Sequence, residues 1–167
     1  ALKQTPEALL PAEPEPATQA EPDDTELQGH FIICGAGKVG QIIAEELAST
    51  RRNCVCIDND PDALNEFRNA LPNVRVIEAE PYSPDALEKA NICSARALTT
   101  ILTSDRDNLV VIVTALQANP SIRALSTAAD ETYHSRLRRA GAETVYPAKI
   151  GGRRMASELL RPTATTV

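Results

Sequence analysis

The chain has 167 residues, 43% of them apolar and 24% charged, enough to build the core of one domain with a tail. No apolar run approaches the ~20 residues needed to cross a bilayer, and no signal peptide is visible. The formal net charge of −6 is concentrated in residues 1–28, where Glu7, Glu13, Glu15, Glu21, Asp23, Asp24 and Glu26 face only Lys3. The remaining 139 residues balance 16 acids against 16 bases, and aromatic residues make up 3%, which argues against a nucleic-acid binder with a basic face or stacking platform.

Residues 1–28 also carry Pro6, Pro11, Pro14, Pro16 and Pro22 among Ala, Glu and Gln. So little apolar surface cannot offset chain entropy, and the segment reads as a disordered or extended acidic linker. The first residue is Ala rather than Met, so we expect a piece of a longer protein. At Gly29 the pattern changes. Residues 30–34 form a short apolar run ending in Gly, which reads as a buried strand. Val39, Ile42, Ile43 and Leu47 recur at helical spacing across 38–50. Residues 54–57 are a second buried strand, and Asp60 with Pro61 opens a helix running to about 71. A third strand is expected at 74–77 and a helix from 84 to about 90, with Ser83 as its cap.

A fourth strand is placed at 97–102. The segment 105–119 is ambiguous, because its middle, LVVIVTAL, is rich in β-branched residues. It sits where a crossover between parallel strands is required, so a helix is predicted, apolar on more than one side and packed on both the sheet and another subunit. A fifth strand at 123–125, a helix at 132–140 ending at Gly141, and a sixth strand at 144–146 follow. After Pro147, Met155, Ala156, Leu159 and Leu160 form an apolar stripe on a last helix. Six β-α alternations predict an α/β fold, a Rossmann-like doubly wound six-stranded parallel sheet with a C-terminal crossover helix.

The chemistry-bearing motif is Gly35-Ala36-Gly37-Lys38-Val39-Gly40, a GxGxxG directly after a buried strand and opening a helix. Gly35 permits the tight turn, Gly37 lets backbone approach a pyrophosphate, and Gly40 allows close helix–strand contact. The helix N-terminus offers N–H groups and partial positive charge. Asp58 ends the second strand, where a carboxylate accepts both ribose hydroxyls of an adenosine and repels a 2′-phosphate. Neighbouring Asn59 and Asp60 supply no Arg for such a phosphate, which favours NAD over NADP. The competing reading makes Asp58 a surface carboxylate capping the next helix. Thr103, Ser104 and Asp105 follow the fourth strand at the edge where such sheets bind ligands, and either contact a nucleotide or cap a helix. Glu80 stands at the same edge after the third strand, as a ligand contact or a solvated side chain.

Other features read as structural. Of Cys34, Cys54, Cys56 and Cys93, three lie inside apolar runs and are taken as small core residues of a reducing compartment; no His or second Cys pair follows the CxC pair at zinc-finger spacing. His30 and His134 have no evident catalytic partners and read as surface or strand-start residues. Arg136, Arg138, Arg139, Arg153 and Arg154 read as solvated helix faces, with an anion site as the alternative.

The stretch from residue 30 to about 161, about four-fifths of the chain, resembles the regulator-of-potassium-conductance (RCK) N-domain, also called the Trk-type NAD-binding domain. HFIICGAGKVG, CIDND, VIEAEPYSPDALEKANI, ILTSDRDNLVVIVTALQANPSIRAL and LRRAGAETVYPAKIGGRRMA carry the likeness. Family members are cytosolic modules at the inner face of the membrane. They gate potassium channels or transporters in response to nucleotides, usually without catalysis. The resemblance implies that Gly35, Gly37, Lys38 and Val39 border a pyrophosphate, Asp58 the ribose, and the 103–105 turn the far side of the ligand, with Ala36, Gly40, Asn59 and Glu80 also counted among the cofactor-binding residues. It implies NAD or NADH as the ligand, with AMP, ADP or ATP as alternatives. It further implies a homodimer or ring assembled through 109–116 and 155–160. The chain departs from the family where Gly-Asp-Ala-Thr is common after the third strand and Ala79-Glu80-Pro81-Tyr82 stands instead. It departs again at Ser126-Thr127-Ala128, where members often carry Arg. The rival readings are an NAD-dependent oxidoreductase, for which the chain shows no Tyr-x-x-x-Lys or paired His/Asp arrangement, and a ligand-free assembly scaffold.

Overall fold

The computed structural model describes residues 27–163, so the expected acidic linker lies, except for its last two residues, outside the described residues. Buried apolar runs become strands and amphipathic segments become the helices between them. In chain order these are β1 (Phe31–Cys34), α1 (Lys38–Ser49), β2 (Cys54–Asp58), α2 (Pro61–Ala70), β3 (Arg75–Glu78) and α3 (Pro84–Lys89). A short 3₁₀ turn at Ile92–Ser94 leads into β4 (Ala97–Thr100), α4 (Asp105–Ala118), β5 (Arg123–Thr127), α5 (Glu131–Ala140), β6 (Glu143–Val145) and α6 (Pro147–Leu160). The strands form one parallel sheet in the order β3-β2-β1-β4-β5-β6. Chain direction across the sheet therefore reverses between β1 and β4, the position where ligands of doubly wound sheets sit.

Alternation along the strands splits the core in two. Ile33, Cys54 and Cys56 pack under α1 and α2 with Leu64 and Phe67. Ile32, Cys34, Val55, Ile57 and Leu98 pack on the opposite face beneath α3, α4 and α5. Local signals close the helices as expected: Asp60 accepts from the Asp62 amide, Ser104 from the Asp107 amide, and Gly141 ends α5 at φ 106°. Ser83 occupies the N-cap of α3 without a side-chain bond.

Segment 105–119 is a helix despite its β-branched content, because β4 and β5 are parallel neighbours that only a crossover can join. One face of it packs on the sheet, as expected. Asn108, Val111, Ile112 and Ala115 recur at helical spacing and are buried within the same chain, while Val110 and Val113 point outward. Only the outer side of 109–116 is thus open to a second subunit. α6 buries none of its residues, and Leu159 and Leu160 are 85% and 83% exposed.

Cys34, Cys54 and Cys56, the three in apolar runs, are core residues as expected, and Cys93 is exposed at the 3₁₀ turn. Burial pushes the Cys54 thiol up to about 11 and those of Cys34 and Cys56 higher still, the nearby Asp58 carboxylate adding to the desolvation at the latter two. His30 immediately precedes β1 and is buried rather than superficial. Its Nε2 lies 2.6 Å from the Ala90 carbonyl, tying the start of β1 to the end of α3. None of the described helices is long and apolar enough to cross a membrane.

Candidate functional site

The turn between β1 and α1 is shaped by two glycines at close quarters. Gly35 sits at φ 124°, and a Cβ there would meet the Ile101 side chain at 2.9 Å. A Cβ on Gly40 would strike the Gly35 carbonyl itself, so only glycine lets the first turn of α1 lie against the end of β1. Gly37 differs: nothing lies within 4 Å of where its Cβ would be, and the residue is exposed. Its bareness serves no contact within the chain and leaves backbone open to an approaching group. Gly37 is also the N-cap of α1 without a side-chain cap, so the first-turn N–H groups of Lys38 and Val39 stand at the positive end of the helix. Lys38 and Val39 are exposed there, and Ala36 is buried beneath them.

Asp58 is joined to this turn. Its Oδ2 accepts the Ala36 amide at 2.7 Å and its Oδ1 accepts the Asp60 amide at 2.9 Å. The capping role and the ligand-facing role are therefore both available, because each carboxylate oxygen keeps a lone pair beyond the bond it accepts. Next to it, Asn59 Nδ2 donates to both Glu80 oxygens at 3.0 Å, linking the ends of β2 and β3. The Tyr82 hydroxyl also bonds Glu80, and that bond together with the carboxylate charge raises the phenol above its usual range. Pro81 is buried. The Ala79–Tyr82 departure thus builds an Asn59–Glu80–Tyr82 bridge along the rim of the site.

On the β4 side, the 103–105 turn is occupied by structural work. Ser104 caps α4, and the Asp105 carboxylate accepts the Ala129 and Asp130 amides at 3.1 Å, fastening the β5–α5 turn to the β4–α4 turn. Thr103 is exposed at its tip. Sequence reasoning passed over Asn108, which holds this turn from below. Its Oδ1 accepts from Thr100 Oγ1 at 2.7 Å and the Leu102 amide at 2.9 Å, and its Nδ2 donates to the Leu102 carbonyl at 3.0 Å. A lone amide on an otherwise apolar, sheet-facing stripe was the available signal.

Beyond the glycine turn lies an apolar cleft of about 380 Å³, bounded by Val39, Ile43, Ile101, Thr127, Val145 and Ile150. It arises because α1 and α2 cover the β1–β3 half of their face while only the start of α6 reaches the β4–β6 half. The structure therefore brings Gly35–Gly40, Asp58, Asn59 and Glu80 around one end of the switch point. Thr103, Ser104 and Asp105 stand across from them, after β4.

Residues 31–147 match the TrkA-N domain family. The chain belongs to that family. Among curated relatives, potassium channel protein 1 of Methanocaldococcus jannaschii is 34% identical over 137 residues, covering 81% of this chain and 41% of the relative. The chain thus spans about two-fifths of the length of that relative. Among solved structures, the TrkA-N domain of the inner membrane protein YbaL from Escherichia coli superposes with a TM-score of 0.73 at 20% identity, covering 81% of this chain and 99% of that one. The GsuK channel bound to NAD follows at 0.70 and 21%, covering 78% and 23%. The AMP-bound C-terminal domain of Kef from Shewanella denitrificans gives 0.65 at 19%, covering 81% and 84%. At these identities the structural likenesses bear on the fold, which is the Rossmann-like sheet described above.

Proposed function

We propose that this TrkA-N domain is a nucleotide-sensing regulatory unit of a potassium channel or transporter, acting at the inner face of the membrane. One observation carries the ligand reading: the Asp58 carboxylate is bonded to the glycine turn through Ala36 at 2.7 Å. Ribose acceptor and pyrophosphate cradle are then one preorganised unit, with its hydrogen-bonding geometry set before any ligand arrives. NAD or NADH is the ligand of first choice. The adenosine ribose would lie against Asp58, the pyrophosphate over Gly37 to Val39, and the remaining ring in the apolar cleft past Val39. AMP, ADP and ATP use the same adenosine end. The potassium-channel relative and the NAD- and AMP-bound neighbours support this reading.

The unit acts by binding rather than by catalysis, and it assembles with copies of itself. The outer side of α4, with Val110 and Val113, and the Met155–Leu159–Leu160 stripe of α6 are the surfaces for that contact. Nucleotide occupancy would bias the arrangement of subunits through α1 and the β4–α4 turn, which border both the ligand and the cleft.

Calorimetric titration of the chain with NAD, NADH, NADP, ATP, ADP and AMP tests the ligand assignment. We expect saturable binding of at least one adenosine nucleotide, with NAD ahead of NADP. No binding of any of the six overturns the sensor reading and leaves an assembly scaffold. Hydride transfer to NAD by an added alcohol or hydroxy acid would instead establish an oxidoreductase.

A further inference from the structure

The carboxyl edge of the sheet carries a second depression, past β5. Tyr146, Lys149, Ile150 and Arg153 recur at three- and four-residue spacing, so they share one face of α6. That face stands over β6 opposite Glu131 and His134 on α5, and the walls enclose a cleft of about 330 Å³ with Val145 in its lining. At ~4.8 Å per strand, three strands place it roughly 14 Å from the glycine turn.

The charges in this cleft are not balanced within it. Arg123 meets Glu143 at 2.8 Å and Arg154 meets Glu158 at 2.7 Å, both outside the cleft. Among the described residues, Lys149 and Arg153 bridge no carboxylate, and Glu131 across the cleft bridges neither of them. Two like charges one helical turn apart repel each other and weaken the helix unless an anion lies between them. His134 is oriented as well. Its Nδ1 is 2.7 Å from the Thr144 hydroxyl, which leaves Nε2 as the ring's open position.

We propose that this cleft binds a small organic oxyanion, a carboxylate or phosphate on a compact body, beside the apolar cleft assigned to the nucleotide's far ring, with which it shares Val145 and Ile150. Lys149 and Arg153 clamp the oxyanion, and the Tyr146 hydroxyl and His134 Nε2 hydrogen-bond to it. Val145 and Ile150 contact the apolar body. Glu131 gives the cleft its polarity: the oxyanion lies on the α6 side, and any donor of the ligand turns toward α5.

The test uses the whole chain at low, constant ionic strength, titrated calorimetrically with inorganic phosphate and with succinate. We expect at least one of them to bind saturably, and K149Q/R153Q to weaken that binding by about tenfold or more, since it removes two charge-assisted partners. Phosphate alone marks a phosphate-bearing ligand and succinate alone a carboxylate, and each supports the site. Both substituted side chains are exposed, so the variant should melt like the parent and bind NAD as the parent does. Absence of binding by both probes, or equal binding by parent and K149Q/R153Q, overturns the proposal. Failure of every nucleotide to bind, with the anion response intact, would remove the sensor reading and leave this site standing.

Discussion

Across 22 residues of sequence, the Asp58 carboxylate and the Ala36 amide meet at 2.7 Å, so the end of β2 holds the turn that follows β1. Asp58 is thereby both a ligand group and a structural one. Asp58→Ala should weaken adenosine nucleotides by about tenfold or more, because charge-assisted bonds protected from water are worth roughly 1.5–3 kcal/mol each. It should also lower stability by about 1–3 kcal/mol, because the Ala36 amide loses its acceptor. Asp58→Asn keeps an acceptor for Ala36 but turns its amide nitrogen toward the Asp60 N–H, so it should cost less stability than Asp58→Ala while affinity still falls. Equal affinities for NAD and NADP in the parent would refute the ribose assignment.

Gly37 and Gly40 predict opposite outcomes for the same substitution. Gly40→Ala places a methyl group against the Gly35 carbonyl, and relieving that clash should cost about 1–3 kcal/mol. Gly37→Ala meets nothing within 4 Å, so the fold should be unaffected while the methyl group obstructs a pyrophosphate. Thermal melts paired with nucleotide titrations check both. A Gly37→Ala variant that binds nucleotide as tightly as the parent would argue against phosphates at this turn.

Assembly and folding are separable on α4 and α6. Leu159 is 85% exposed, so Leu159→Glu should leave the circular dichroism spectrum unchanged and shift the light-scattering mass from oligomer toward monomer. Val111 is fully buried beneath α4, so Val111→Glu should unfold the domain outright, since an unpaired buried charge is strongly unfavourable. A parent chain that is monomeric at tens of micromolar would contradict the α6 contact.

The Arg123–Glu143 bridge between β5 and β6 makes a pH prediction of definite sign. Hydrogen bonding from Arg123 holds the Glu143 carboxyl below its ordinary 4.5. The bridge therefore contributes fully above that value and is lost as pH falls through the lower folded-state value. Both partners are exposed, so the effect is small. Glu143→Gln should lower the melting temperature slightly near neutrality and flatten the acid limb of a pH–melting profile, the difference from the parent vanishing at low pH. A larger change in acid than at pH 7 would be the wrong sign for this bridge.

Much of this protein was determined by its sequence read locally. Apolar runs of four or five residues, helical spacing between them and the caps at Asp60, Ser104 and Gly141 prescribe six parallel strands in alternation with helices. GxGxxG after a buried run prescribes the phosphate turn, because the steric needs of Gly35 and Gly40 arise within six residues of one another. Tertiary structure decided what depends on residues distant in the chain. It turned Val111 inward and Val110 outward on a helix that is apolar all round, a choice periodicity alone could not make. It spent Asp105 on the β5–α5 turn, joined Asn59, Glu80 and Tyr82 into one bridge, and set Asn108 under the β4–α4 turn. It also set Lys149 and Arg153 on one wall of a cleft whose other wall is α5. Hydrogen bonds and charges act over a few ångströms of space, and parallel strands bring together side chains that the chain itself separates by a crossover of twenty residues or more.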